Sequence, residues 1–252
     1  MDALTRRYIT GEGTRESVWR DWIQHHPLPE GDVAELMRGS RTVHVVAPHP
    51  DDEILGCGGI MQQLSRRGVT IRVWAVTDGE ASHPGSRRWL PDTLARMRTW
   101  ESEQALRLLS VSARRDRLAI PDGSVARYEP ELEAALIAAL ETEDTVIAPW
   151  RLDGHPDHEA AARASLRAAA AVRCRCVEVP IWGWHWADPR SGDFPGYRAL
   201  AIPLDDHDRQ AKARAIQAFH SQLVPDPDTG APPILTASVL ARMQRAFEVV
   251  LQ

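Results

Sequence analysis

Apolar positions along the chain follow two alternating patterns. Short runs rich in β-branched residues predict strands at residues 42–47, 69–77, 117–120, 145–150, 174–182 and 197–203. Between them lie segments with apolar residues every three or four positions, which predict helices at residues 56–67, 93–109, 129–140 and 205–220 and in the alanine-rich stretch after residue 158. Strands that alternate with helices favour βαβ units. We therefore predict an α/β fold, Rossmann-like, with three α/β/α layers around a mostly parallel sheet.

Two further helical patterns flank this region. Val18, Trp19, Trp22 and Ile23 recur at helical spacing and predict a helical extension within residues 1–40. Apolar residues from 239 to 250 show the same spacing and predict a C-terminal helix within residues 235–252. A chain of 252 residues can form one domain with small extensions, so we expect a single domain over residues 1–252.

Polar segments follow the ends of the predicted strands. Residues 48–53, PHPDDE, follow the first strand, and residues 151–158, RLDGHPDH, follow the fourth. In open α/β sheets, ligands bind at the carboxyl ends of the parallel strands. These two segments are therefore expected to meet in space, although they are far apart in the chain.

The segment 49–53, HPDDE, places one imidazole beside three carboxylates. Neighbouring carboxylates repel each other unless a positive charge lies among them, so a divalent metal is favoured. A hydrolytic zinc ion usually takes three protein ligands and leaves a fourth position for water. His49 and Asp52 could supply two ligands, and either His155 or His158 could supply the third. The alternative is a polar loop that caps the next helix.

The motifs APHPDDE and GHPDH, at residues 47–53 and 154–158, together resemble the signature of the LmbE-like, or PIG-L, family of zinc-dependent N-deacetylases. Members of that family hydrolyse N-acetyl groups from amino sugars and their conjugates. The resemblance extends more weakly to Arg98 and Glu101 and to residues 180–182 and 221–222, and it covers residues 41–223. It implies an LmbE-like fold and a metal-dependent hydrolase that acts on a small amino-sugar substrate.

The resemblance also implies roles for single residues. The metal ligands that it implies are His49, Asp52 and His158, with Zn²⁺ as the expected ion and Fe²⁺ as an alternative. Asp51 would be the general base, His155 would stabilise the tetrahedral oxyanion, and Asp157 would orient a histidine of its own motif. Glu53 would fix the loop through hydrogen bonds. Asp153 is a departure, because some members have a tyrosine there that helps to stabilise the oxyanion.

Substrate contacts are predicted at four positions. The resemblance implies that Arg98 binds a sugar hydroxyl. Trp182 and Trp184 would share one face of a continued strand, where aromatic rings suit sugars, and packing of the sheet face is the alternative. Arg87 lies in the long polar loop of residues 78–88 and could contact the substrate, although solvated charges are common in such loops.

Composition and charge exclude several other classes of function. The formal net charge of −5 disfavours nucleic-acid binding. No apolar run approaches the ~20 residues that span a bilayer, and the N-terminal residues lack the apolar segment of a signal peptide. We therefore expect a cytoplasmic protein that does not bind membranes. A homo-oligomer is compatible with the sequence, which leaves the oligomeric state open.

Two other functions compete with deacetylation. His49, Asp51 and His158 also match the two-histidine, one-carboxylate triad of non-haem iron oxygenases. Those oxygenases use an all-β barrel, whereas this sequence alternates strands and helices. The other competing function is a protein that binds glycans through its tryptophans without turning them over.

Overall fold

A computed structural model of the protein describes residues 7–37 and 39–252. Its strands are β1 (Thr42–Ala47), β2 (Thr70–Ala75), β3 (Ala113–Arg117), β4 (Thr145–Pro149), β5 (Arg175–Val179), β6 (Ala199–Pro203) and β7 (Phe247–Leu251). They form one seven-stranded sheet in the order β3-β2-β1-β4-β5-β7-β6. The first five strands in this order run parallel, and β7 runs antiparallel to both of its neighbours.

Helices cover both faces of the sheet. They are α1 (Glu16–His25), α2 (Val33–Leu36), α3 (Asp52–Arg66), α4 (Pro91–Leu108), α5 (Glu129–Ile137), α6 (Pro156–Val172), α7 (Gly183–Trp186), α8 (Asp206–Ile216), α9 (His220–Leu223) and α10 (Ala237–Met243). Helices α3, α4 and α8 pack together, and α5 packs on α6. Val43 and Val45 of β1 join the first apolar cluster, whereas Val46 joins the second on the opposite face. The predicted three-layer α/β/α fold is confirmed.

The order of the strands reverses between β1 and β4. The chain leaves β1 for β2 and β3 on one side and then crosses to β4 on the other side. At such a point the connections diverge and leave a crevice at the carboxyl ends of the strands. The segment after β1 and the segment after β4 border this crevice, and the rings of His49 and His158 approach to 3.2 Å. The predicted meeting of the two motifs is therefore observed.

Helix α3 is kinked shortly after the first motif. The backbone of Cys57 leaves the helical region, with φ −149° and ψ 27°. Glycines flank it in the sequence LGCGG. Glycine destabilises a helix because its backbone loses more conformational entropy on folding than that of other residues. A β-carbon at Gly59 would collide with the side chain of Leu204. Glycine is thus required where α3 passes the segment that follows β6.

A buried ion pair satisfies the backbone groups that the kink releases. Glu248 of β7 accepts hydrogen bonds from the N–H groups of Gly59 and Ile60 at 2.9 and 2.7 Å. Lys212 of α8 donates to the carbonyl of Leu55 at 2.8 Å and to Glu248 at 2.7 Å. Both charged side chains are at most 4% exposed. The pair therefore joins α3, α8 and β7 behind the crevice.

Replacing Glu248 with alanine is expected to lower the free energy of unfolding by about 3–5 kcal/mol. The substitution leaves the ammonium group of Lys212 buried without its carboxylate, and such broken pairs cost this much. Denaturant unfolding followed by circular dichroism measures the change. The control Glu103→Ala removes a half-exposed glutamate from α4 and is expected to change stability by no more than ~0.5 kcal/mol. Equal stability of the two variants would contradict the role given to the pair.

The predicted C-terminal helix over residues 235–252 was wrong in its second half. Helix α10 ends at Met243, and residues Phe247–Leu251 form strand β7 between β5 and β6. Residues 248–251 of this strand are all buried. An apolar run that is covered on both faces lacks the alternation of a half-exposed strand, so its spacing can imitate that of a helix.

The third strand was also predicted in the wrong place. Strand β3 covers Ala113–Arg117 rather than residues 117–120. It lies at the edge of the sheet, and its sequence is ARRDR. Charged side chains are common on edge strands, where they discourage pairing with other chains. Such a strand gives no apolar signal in the sequence.

The N-terminal extension contains α1 and α2, which agrees with the helical spacing around Trp19. The predicted extension also includes residues 1–6 and 38, which lie outside the described residues. Trp19 is fully buried, and its indole N–H donates to the carbonyl of Trp184 at 2.8 Å. Within residues 7–37 and 39–252, no helix combines the length and hydropathy needed to cross a bilayer.

Candidate active site

Three side-chain atoms of kinds that bind metal ions lie close together in the crevice and form a triangle: His49 Nδ1, Asp52 Oδ2 and His158 Nε2. His49 Nδ1 lies 3.3 Å from Asp52 Oδ2 and 3.2 Å from His158 Nε2, and that nitrogen lies 3.2 Å from the same Asp52 oxygen. A tetrahedral ion with bonds of ~2.0–2.2 Å has its ligand atoms about 3.3–3.6 Å apart. His49 follows β1, Asp52 begins α3 and His158 lies in the first turn of α6. The triangle therefore fits three corners of a tetrahedral metal site.

The charges of the triangle suit a cation as well. Burial lowers the pKa of His158, but Asp52 and Asp153 outweigh burial and raise it to about 9. Burial raises the pKa of Asp52, yet the charge of His158 and hydrogen bonds from both imidazoles hold it well below its usual range. The negative charge of the Asp52 carboxylate thus favours protonation of the histidine nitrogens around it. A divalent ion that binds here would displace those protons, as metals do at histidine sites.

A second carboxylate lies behind each imidazole. His158 Nδ1 is 2.8 Å from Asp153 Oδ2, and His49 Nε2 is 3.1 Å from Asp122 Oδ1. Carboxylates in this position orient the ring and make its other nitrogen a better metal ligand. The sequence did not predict this role for Asp122 or Asp153. Their positions in the sequence could have indicated it, because each residue follows the end of a parallel strand.

Asp153 joins the site to the next strand connection. It is fully buried and accepts hydrogen bonds from the N–H groups of Ile181, Trp182 and Gly183 at 2.8–2.9 Å. The oxygen that contacts His158 also accepts the bond from Trp182. Asp153, which stands where some members of the resembling family have a tyrosine, thus has hydrogen-bond partners of its own in this protein. Asp153 is a positioning residue for His158.

Asp153→Asn is expected to weaken binding of an added divalent ion at the triangle by about 10–100-fold, the range found for residues behind metal-binding histidines. The amide removes the negative charge that holds the His158 ring. Competition with a chromophoric chelator measures the dissociation constant. The control Asp188→Asn changes a partly exposed residue that pairs with Arg190. Unchanged zinc affinity in a folded Asp153→Asn protein would refute the positioning role.

Asp51 lies beside the triangle and is held by two contacts. Arg98 Nη2 is 3.1 Å from Asp51 Oδ2, and the Asp51 N–H donates to Glu53 Oε2 at 3.1 Å. Burial raises the pKa of Asp51 to about 7, with the charge of Arg98 acting in the opposite direction. Glu53 also accepts a bond from Ser102. A carboxyl group with a pKa near neutrality can accept and return a proton at physiological pH.

Arg98 of α4 is buried against the loop after β2. Its Nη1 donates to the carbonyl of Gly79 at 2.9 Å, and its Nε has no partner among the described residues. Gly79 has φ +66°, and a β-carbon there would collide with the guanidinium. Arg98 lines the cavity described below. Its observed contacts hold Asp51 and the loop, and the predicted sugar contact stays a prediction.

His155 lies next to the triangle and caps α6. Its Nδ1 accepts a hydrogen bond from the N–H of Asp157 at 3.3 Å, so the ring proton lies on Nε2. Burial, together with the nearby rings of His158 and His49, lowers the pKa of His155 to about 3. The ring is therefore neutral at pH 7. A neutral imidazole in the cavity wall can donate its Nε2–H to a developing oxyanion.

Asp157 contacts histidines of both motifs, because its N–H donates to His155 Nδ1 while its carboxylate lies near the first motif. Its carboxylate accepts bonds from the N–H groups of Gly123 and Val125 at 2.7 and 3.1 Å and lies 3.5 Å from His49 Nε2. The loop after β3 packs against the first turn of α6, which brings Asp157 to the first motif. Asp157 therefore contacts a histidine of the other motif.

A cavity of about 420 Å³ opens onto these groups. The polar side chains of its wall are those of His49, Asp51, Asp52, Ser82, Arg98, Asp122, His155 and Gln222. Larger apolar side chains come from Ile9, Leu55, Trp182, Ile234 and Leu235. A larger cavity of about 740 Å³, beside Arg175 and Gln252, lies at the amino end of β5. It is remote from both motifs, so the smaller cavity is the candidate active site.

Two predicted substrate contacts lie outside this cavity. Trp184 is 4% exposed, and its ring packs 4.8 Å from Trp19 and 4.7 Å from Phe194. The tryptophan run forms helix α7 rather than a continued strand, so only Trp182 reaches the cavity wall. Arg87 is exposed, and its backbone N–H donates to Asp228 at 2.9 Å. The prediction for Trp184 was therefore wrong, because its ring packs in the core, whereas the substrate contact of Arg87 stays a prediction.

Comparison with known proteins agrees with the motifs. A family model described as PIG-L, GlcNAc-PI de-N-acetylase, matches residues 44–169, half of the chain. The 1D-myo-inositol 2-acetamido-2-deoxy-alpha-D-glucopyranoside deacetylase of Kineococcus radiotolerans is 30% identical over 56% of this chain and 48% of its own length. Deacetylase 2 of the same description from Saccharopolyspora erythraea is 27% identical over 73% of each chain. The chain thus matches about half the length of the first relative.

Solved structures agree with the fold. A deacetylase of the teicoplanin biosynthesis pathway superposes with a TM-score of 0.63 over 83% of this chain and 96% of that chain. The two sequences are 19% identical, so the similarity concerns the fold. The sheet order, the paired motifs and the family match all point to one conclusion. The chain belongs to the PIG-L family of GlcNAc-PI de-N-acetylases.

Proposed function

We propose that the protein is a metal-dependent hydrolase that removes an N-acetyl group from an amino sugar or an N-acetylglucosaminyl conjugate. The observation that carries this proposal is the triangle of His49, Asp52 and His158 with Asp51 and His155 beside it in one cavity. Family membership supports the reaction class. The cavity volume lies within the ~300–1,000 Å³ typical of sites for small molecules.

The proposed metal ligands are His49, Asp52 and His158, and Zn²⁺ is the expected ion. A divalent ion bound there would lower the pKa of a water molecule toward ~7 and polarise an acyl oxygen. His155 could form an alternative set with the two other histidines. Its Nδ1 accepts a backbone bond, whereas Asp52 Oδ2 lies within 3.3 Å of both ligand nitrogens. These contacts favour Asp52 over His155.

The proton transfers are assigned to Asp51. It accepts a proton from the attacking water, whose oxygen forms the new bond to the acyl carbon. His155 donates a hydrogen bond from Nε2 to the acyl oxygen while that oxygen becomes negative. Asp51 then returns the proton to the nitrogen as the C–N bond breaks, which yields an amine and a carboxylic acid whose remaining proton passes to the amine or to solvent. The pKa of about 3 makes His155 a poor proton donor at pH 7, so both transfers favour Asp51.

The proposed substrate follows from the relatives and the cavity. The Kineococcus radiotolerans relative is named as a deacetylase of an N-acetylglucosaminyl inositol. Arg98 and Trp182 line the cavity here, and we assign them to the sugar ring. The iron-oxygenase alternative is disfavoured, because the fold is a mostly parallel α/β sandwich and not an all-β barrel.

A panel of N-acetylated sugars and conjugates tests this function by release of free amine. Turnover is expected for N-acetylglucosaminyl compounds, with loss after chelation and recovery after addition of Zn²⁺. Binding without amine release across the panel would favour a glycan-binding protein instead. Amine release that persists in fully chelated protein would refute the metal requirement.

A further inference from the structure

The segment of residues 7–14, which we name the N-terminal strap, lies next to the cavity. It is outside the 44–169 region that defines the family. Ile9 is half-buried and lines the cavity together with Trp182 and Ile234. The strap thus contributes a side chain to the same cavity that contains Asp51 and His155. This apolar side chain lies outside both catalytic motifs.

Buried polar contacts hold one end of the strap. Arg242 of α10 is 2% exposed and donates to the carbonyl oxygens of Glu12 and Thr14 at 3.0 and 2.8 Å. The same guanidinium lies 3.0 Å from His185 Nδ1, and His185 Nε2 is 3.1 Å from the carbonyl of Thr10. A β-carbon at Gly13 would collide with His185. The position of the strap after Ile9 is therefore defined by α7 and α10.

An ion pair holds the other end. Arg7 Nη1 lies 2.7 Å from Glu159 Oε1 of α6, and both side chains are less than 20% exposed. The same carboxylate oxygen accepts a bond from the N–H of Gly154 in the second motif. Ile9 thus lies between two anchored points, Arg7 and Thr10. These two anchors hold the backbone that carries Ile9 next to the cavity.

The wall of the cavity combines polar and apolar side chains. The groups proposed for hydrolysis come from the two motifs, and Ser82 and Gln222 add polar groups, whereas Ile9, Leu55, Trp182, Ile234 and Leu235 supply apolar surface. Apolar surface of this kind contributes to the free energy of binding only when a ligand buries apolar area against it. An unsubstituted amino sugar presents hydroxyl groups on most sides. A ligand that uses the whole cavity would therefore carry an apolar group beside its sugar.

We propose that Ile9 determines specificity and that the preferred substrate is an amino-sugar conjugate with an apolar substituent on the sugar. The inference rests on the proposed function of the same site. The strap places Ile9 against the part of the substrate that does not react, while the motif residues address the N-acyl group. Selectivity among conjugates then depends on a segment that lies outside the catalytic motifs.

Binding of two unacetylated glycosides tests this without turnover. Titration calorimetry on the metal-loaded protein compares methyl and hexyl glucosaminide. The wild-type protein is expected to bind the hexyl compound more tightly. Ile9→Ala removes three carbons of a half-buried side chain, and loss of contact equivalent to about one buried methylene group should lower hexyl affinity about fourfold, while methyl affinity should stay within twofold. The control Tyr8→Ala alters a 66% exposed neighbour on the strap and should change neither affinity.

Three results would overturn the proposal: equal losses for both glycosides in Ile9→Ala, no loss for the hexyl compound, or a wild-type protein that does not prefer it. Circular dichroism on Ile9→Ala checks that the variant is folded. Amine release is measured separately on the acetylated glycosides. Absence of release would contradict the proposed function alone, because the binding comparison does not depend on hydrolysis.

Discussion

Asp51→Asn is expected to lower the turnover number by about 10²–10⁴-fold, the usual contribution of a general base. The asparagine keeps the shape of the side chain but cannot accept a proton. Asp51 is not a corner of the triangle, so the zinc content should stay unchanged. Steady-state kinetics with an N-acetylglucosaminyl substrate, together with metal analysis of the same sample, measures both quantities.

The control for this variant is Asp92→Asn, which changes an exposed aspartate in the first turn of α4. Its turnover and zinc content should equal those of the wild-type protein. Near wild-type turnover in Asp51→Asn would remove Asp51 from the role of base. Loss of zinc together with turnover would show that Asp51 acts on metal binding rather than on proton transfer.

His158→Ala is expected to reduce zinc affinity by more than the ~10–100-fold expected for Asp153→Asn, because it removes a ligand rather than the group behind it. Turnover should fall to background at the same time. The substitution also leaves the buried carboxylates of Asp52 and Asp153 without the imidazole between them. Chelator competition and amine release measure the two effects.

His155→Ala is the matched comparison for His158→Ala, since either histidine could complete the ligand set on sequence grounds. It should keep zinc and lose turnover, because His155 is assigned to the oxyanion. His25→Ala, at an exposed histidine of α1, should change neither property. Zinc loss in His155→Ala with retention in His158→Ala would exchange the two assignments.

The chemistry of the crevice was predictable because it depends on the ends of two parallel strands. His49 and His158 follow β1 and β4, and the reversal of strand order between those strands brings them to 3.2 Å. Their sequence context was sufficient to place them together. The alternation of apolar strands and helices was sufficient for the fold class.

The supporting carboxylates were not predictable from motifs. Asp122 and Asp153 contact the imidazoles only after the loops that follow β3 and β4 take their places in the crevice. The contact of the Asp157 carboxylate with His49 was missed for the same reason. Such contacts depend on how neighbouring loops pack, and no periodicity in the sequence records this packing.

The errors at Trp184 and β7 have another cause. Tryptophan suits both sugar contacts and cores, and the packing of Trp184 on Trp19 and Phe194 decides between them. Strand β7 is buried between two neighbours, so its apolar residues lose the alternation that marks a half-exposed strand. Ile9 was overlooked because a single apolar residue in an irregular segment carries no pattern.

Titration of chelated protein with Zn²⁺ most directly tests whether the triangle supports hydrolysis. Amine release from an N-acetylglucosaminyl substrate is recorded after each addition. We predict no release without metal, a linear rise up to one equivalent and a plateau thereafter. Full activity before any metal is added would contradict the proposed mechanism.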